Sequence, residues 1–144
     1  MRLSRLSFVL ALGALFAAPA SAQQYTAQVR AQLDRAQRTL RGEGYSRVRA
    51  YTTGSLGDGD DQAYRVTLQR GYDYVFTGAC DSDCSDLDFW LYDNNGNLID
   101  SDTAADDVPV VRVTPARNGT FTIRVGMAAC SAAPCYHGFG LFRQ

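Results

Sequence analysis

The chain has 144 residues, 46% of them hydrophobic and 20% charged, with 13 Gly and 4 Pro. That is one domain's worth of packed core, and it excludes collagen-like and wholly disordered chains. All 14 basic residues are Arg, while 14 of the 15 acids are Asp; residues 57–107 alone carry thirteen Asp against Arg65 and Arg70, a net of −11, which repels phosphate backbones and argues against a nucleic-acid partner.

The first 22 residues read as a cleaved export signal. Met1 to Arg5 is a short basic start, Leu6 to Ala18 is an apolar stretch of 13 residues, and Ala20-Ser21-Ala22 is a small-x-small cleavage site. The apolar stretch is too short to span a bilayer comfortably, and no later one approaches the roughly 18 residues a transmembrane helix needs. Cleavage after Ala22 is expected, followed by a periplasmic or secreted life and no membrane span in the mature chain. Loss of Arg2 and Arg5 leaves 12 Arg against 15 acids, a net of −3.

Residues 23–44 are expected to form one helix. Tyr25, Val29, Leu33, Ala36 and Leu40 recur at steps of four, four, three and four, which lays them on one face, and Gly42 and Gly44 then stop it. Arg30, Asp34, Arg38 and Arg41 take the opposite face.

From Gly44 onward, residues 45–144, the period becomes two. Tyr64, Val66 and Leu68 alternate with Arg65, Thr67 and Gln69; Tyr72, Tyr74 and Phe76 with Asp73, Val75 and Thr77; Leu87, Phe89 and Leu91 with Asp88, Trp90 and Tyr92; and Phe121, Ile123, Val125 and Met127 with Thr120, Thr122, Arg124 and Gly126. With Val111 to Val113, the last run Tyr136 to Phe142, and the weaker segments Arg47 to Thr53 and Leu98 to Ser101, this gives about eight short strands. The expected fold is mainly β: an antiparallel jelly-roll-like β-sandwich preceded by one N-terminal helix. Residues 54–61 are read as a loop, and Asn95-Gly96 and Asn118-Gly119 as hairpin turns.

Tyr74-Val-Phe-Thr-Gly78, then Asp86-Leu-Asp-Phe-Trp-Leu-Tyr-Asp93 with Asn95-Gly96, then Pro115 and Gly119-Thr-Phe-Thr-Ile-Arg-Val125 together resemble the bacterial pre-peptidase C-terminal domain. The resemblance covers roughly residues 60–128 and implies a small exported β-sandwich that acts as a non-catalytic module.

Export favours disulfides, and the four cysteines fall as Cys80-x3-Cys84 and Cys130-x4-Cys135. Three pairings are open; the two local bridges are favoured because each pair brackets a short loop, and a four-thiolate zinc site is the weaker competitor. Around the first pair, Asp81, Asp83, Asp86 and Asp88 form a candidate calcium site, since a clamped loop could aim several carboxylates at one hard cation. The competing reading has these Asp capping backbone N–H groups in turns. Trp90 and Tyr92 share the polar strand face with Asp88 and would form a platform for a peptide, protein or polysaccharide partner if that face is open. The favoured expectation is instead that the helix covers the rings with Val29 and Leu33. His137 is the only histidine, no hydrolase motif is present, and Asp86 with Asp88 or Asp93 is the only carboxylate set for a small hydrolase, Asp86 with Asp88 being the favoured pair. The expected function is a non-catalytic binding or accessory module, with a calcium-stabilised adhesion, matrix or glycan-binding module as the alternative.

Overall fold

The computed structural model describes residues 20–144. The expected signal segment lies mostly outside them, and the described chain starts at the helix α1, Ala20–Gly42. Val29, Leu33 and Leu40 are its buried positions, three of the five on the face set by the 3.6-residue period. Gly44, with φ of 94°, ends it: Tyr45 N–H donates to the Leu40 carbonyl at 2.9 Å and Gly44 N–H to that of Arg41 at 3.1 Å. This is a Schellman closure, and it needs the left-handed conformation glycine adopts without strain.

Nine strands follow: β1 Ser46–Arg47, β2 Thr52–Leu56, β3 Asp61–Leu68, β4 Tyr74–Cys80, β5 Cys84–Tyr92, β6 Leu98–Asp102, β7 Val110–Val113, β8 Gly119–Cys130 and β9 Cys135–Arg143. They form two antiparallel sheets, one ordered β1-β9-β4-β7 with β2 also pairing β9, the other β3-β8-β5-β6. The pairs β2·β9, β3·β8, β4·β7 and β5·β6 wind the chain back and forth between layers as a jelly roll does.

The period-two alternation holds along β3 and β5, whereas β4 is buried at every position and Tyr72 lies outside it, exposed. Val66, Leu68, Phe89, Leu91, Ile123 and Val125 point inward from one sheet, and Phe76, Val111, Phe139 and Leu141 from the other, to build the main core. The weak segment Arg47 to Thr53 divides into β1 and β2, because its middle leaves the ladder. Residues 54–56, read as loop, pair with β9 in β2. Asn118-Gly119 is not a hairpin: β7 and β8 belong to different sheets, and Asn118 Oδ1 instead accepts the Arg70 N–H at 2.8 Å, holding two inter-sheet connections together. At Asn95-Gly96 only Gly96 has positive φ, and Asp93 Oδ1 accepts the N–H groups of Asn95 and Asn97 at 2.8 and 2.9 Å to shape the turn.

The helix lies on the outer face of the five-stranded sheet. Val29 and Leu33 pack with Ala79, Tyr51 and Tyr136, and Leu40 with Val75 and Phe142. All seven residues of β4 are therefore buried, half by the core and half by the helix. Leu33 is fully buried at this contact. Leu33→Ala should cost about 2–5 kcal/mol of stability, the range for emptying a packed leucine site, measured as a shift in urea midpoint at unchanged m-value. A loss below about 0.5 kcal/mol, the size of an ordinary surface change, would contradict this docking.

Candidate functional site

The two clamped loops meet at one corner. Cys80 is bonded to Cys84 and Cys130 to Cys135, so all four sulfurs are engaged and none is left for zinc. Cys84 stands directly across the ladder from Cys130, and Ser131 N–H donates to the Asp83 carbonyl at 2.8 Å. The helix is tied to the same corner. Gln32 Nε2 donates to the Cys80 carbonyl at 2.6 Å, Ser82 N–H donates to Gln28 Oε1 at 3.1 Å, and Tyr25 stacks on Tyr136 with ring centroids 5.7 Å apart. The neighbouring Asp83 carboxylate raises the Tyr25 phenol pKa.

The four aspartates singled out around this loop do not act together. Asp81 is buried and spends both oxygens on backbone, accepting Asp83 N–H at 3.0 Å and Tyr136 N–H at 2.7 Å. Asp86 and Asp88 lie on the next strand, in the other sheet, because the disulfide loop is where the chain crosses between layers. Among the described residues no three His, Cys, Asp or Glu side chains gather as a metal centre requires. Asp81 follows the turn-capping alternative.

Asp86, Asp88, Trp90 and Tyr92 share one side of β5, opposite the inward Leu87, Phe89 and Leu91. That side is the outer face of the four-stranded sheet, and the helix is on the other sheet. The expectation that Val29 and Leu33 cover the rings is therefore corrected. The reason lies in the carboxylates: a helix laid there would have to bury Asp86 and Asp88 without partners, whereas β4 and β9 offer Ala79 and Tyr136.

Neighbouring strands complete the face. Across the ladder from Asp88, Trp90 and Tyr92 stand Gly126, Arg124 and Thr122 of β8. The Trp90 ring lies over Gly126, where a Cβ would come within 2.7 Å of it, so only glycine leaves room. The Arg124 guanidinium stands over the indole, 5.2 Å from its centroid. Asp61 of β3 holds that guanidinium through two bonds, Nε to Oδ1 at 2.8 Å and Nη2 to Oδ2 at 2.6 Å. The pair lowers the Asp61 pKa and, with the Tyr92 hydroxyl adding to it, raises that of Arg124. At the acidic end, Asp86 and Asp88 each have one shielded Oδ1 without a partner. Burial, then the nearby Asp86 and Asp102, raises the Asp88 pKa.

Asp61, Arg124 and Gly126 were not singled out from sequence. Arg124 and Gly126 do occupy outward positions of an alternating strand, but only the register of β8 against β5 and β3 reveals that they converge on Trp90.

A cavity of about 420 Å³ lies elsewhere, between the loops around Asn95 and Ala116. Its carboxylate, Asp93, is occupied by its own turn. His137 sits inside the sandwich, with its Nε2 3.0 Å from the Tyr64 hydroxyl. The same hydroxyl lies 3.0 Å from Gln62 Oε1, and the ring's Nδ1 is buried without a partner.

No protein-family model and no curated protein matches the chain. Among solved structures it is similar to PliG from Aeromonas hydrophila, a periplasmic lysozyme inhibitor of g-type lysozyme. The TM-score is 0.50 at 16% identity, over 66% of this chain and 85% of that one. At that identity the likeness is one of fold.

Burial holds the His137 pKa down to about 4, against an ordinary value of 6.5. Because the folded value is the lower one, the unfolded chain takes up the proton first as the pH drops below 6.5, and stability falls until about pH 4. The slope is about 1.4 kcal/mol per pH unit in the steep part of that window. His137→Gln should remove this slope, read as urea midpoints at pH 7, 5.5 and 4.5 alongside the parent. An unchanged slope in the variant would contradict the assignment.

Proposed function

We propose that this chain is an exported, non-catalytic module that binds a protein partner, a cell-wall-cleaving lysozyme, through the outer face of its four-stranded sheet. The observation that carries the reading is the open, pre-ordered assembly of Trp90, Tyr92 and Arg124 on rigid strands. Trp, Tyr and Arg are the residue types that dominate protein–protein hot spots, and side chains already fixed before docking lose little entropy on binding. The likeness to a periplasmic lysozyme inhibitor supports a lysozyme as partner and a role without catalysis. The signal segment and the two disulfides support export to an oxidising compartment.

A protein partner is favoured over a glycan by one detail. A sugar stacks on a bare aromatic ring, whereas Arg124, clamped by Asp61, already stands over Trp90. In a protein interface the same guanidinium is a ready donor. The acidic flank of Asp86 and Asp88 adds attraction for a basic partner surface and speeds encounter at low salt.

The test is lysis of a cell-wall suspension by a g-type lysozyme with increasing amounts of the purified protein. Inhibition is expected, with Trp90→Ala weakening it at least about tenfold, which corresponds to a hot-spot loss of about 1.4 kcal/mol or more. Unchanged lysis at a large molar excess would overturn the lysozyme reading. Full inhibition by Trp90→Ala would overturn the assignment of the face.

A further inference from the structure

The four sheet edges are treated unequally. One edge of the five-stranded sheet is broken into β1 and β2, of two and five residues, and the free edge of the other sheet at β6 is five residues long. The edge at β7 is four residues long and is sealed by side chains: Val110 N–H donates to Asp102 Oδ2 at 2.9 Å and Arg112 N–H to Asp100 Oδ2 at 2.8 Å. Shortness and inward carboxylates are the usual ways to keep an edge from pairing. The remaining edge, β3, has eight residues, and among the described residues no strand pairs with its outer side.

The ladder fixes which groups face out. Met127 N–H donates to the Asp60 carbonyl, so Asp60 and, by alternation, Gln62, Tyr64 and Val66 bond to β8. The N–H and C=O groups of Asp61, Ala63 and Arg65 therefore point outward. Their side chains are exposed on the same face as Trp90.

We infer that β3 pairs antiparallel with β3 of a second copy of this chain, centred on Ala63. The charge pattern selects this register. Centring on Ala63 sets Asp61 of each copy opposite Arg65 of the other, whereas centring on Arg65 would oppose two like charges. Arg65 makes no ion pair among the described residues, and a carboxylate engaged by Arg124 retains lone pairs for a second guanidinium. The small Ala63 side chain lets the dyad close. A two-fold contact of this kind is self-complementary and stops at the dimer. It would join two four-stranded sheets into one eight-stranded surface, with the two Trp90 sites five strand spacings apart, about 24 Å.

Sedimentation velocity on the purified protein from about 10 to 500 μM, a range in which dimerisation is read as concentration dependence, tests this without reference to any lysozyme. The parent chain should shift from monomer to dimer across the range. Ala63→Pro removes an outward N–H without taking one from the β8 ladder, and Arg65→Asp places like charges opposite each other; both should weaken the dimer at least tenfold while keeping the parent's far-UV circular dichroism. Arg65→Asp, a change to an exposed side chain, keeps the test decisive if the proline variant fails to fold. A parent that stays monomeric at the highest concentration, or a folded Arg65→Asp that dimerises as the parent does, overturns the inference.

Discussion

Where the helix docks decides what the rest of the molecule can present. Val29, Leu33 and Leu40 form an apolar stripe that must be buried, and a sandwich has two outer faces to offer. The five-stranded sheet turns Val75, Ala79 and Phe142 outward, a surface that gains by being covered. The four-stranded sheet turns out Asp86, Asp88 and Arg124, which would lose hydration under a helix. One face is therefore closed and the other is left to solvent, with the Trp90 ring seated against Gly126 and under the Arg124 guanidinium.

The disulfide corner reinforces that choice. Both cystine loops are short, so each removes only a modest amount of chain entropy, about 2 kcal/mol by the usual loop-length relation. Their greater effect is geometric: the Cys80–Cys84 loop carries the chain from the covered sheet to the open one, and Gln28 and Gln32 fasten the helix to it. Asp81 fits the same picture, its carboxylate serving as a buried bracket between that loop and β9. An aspartate cluster that looks in sequence like a cation site is thus divided between structural capping and a solvent-facing strand.

What could be read from the residues in order was local. The period of four, four, three and four found the helix, and the alternation from Tyr64 onward found the strands and the sandwich. The cysteine spacing matches two loops that the structure closes by sulfur. What could not be read was anything set by register between distant strands. Arg124 is 34 positions from Trp90, and Asp61 is 63 from Arg124, yet the three form one assembly. Likewise, Asn118-Gly119 carries a hairpin signal, but the strands on either side pair in different sheets, and non-local pairing overrides the turn preference. The side of the sandwich the helix covers depends on the same long-range bookkeeping, and amphipathicity alone was silent on it.

The helix stripe covers the five-stranded sheet and leaves the single tryptophan on an open face. Nuclear Overhauser contacts from the Val29 and Leu33 methyl groups address it directly. The structure predicts cross-peaks from these methyls to Ala79 and Tyr136 and none to the Trp90 indole. Cross-peaks between either methyl group and the indole protons would contradict it.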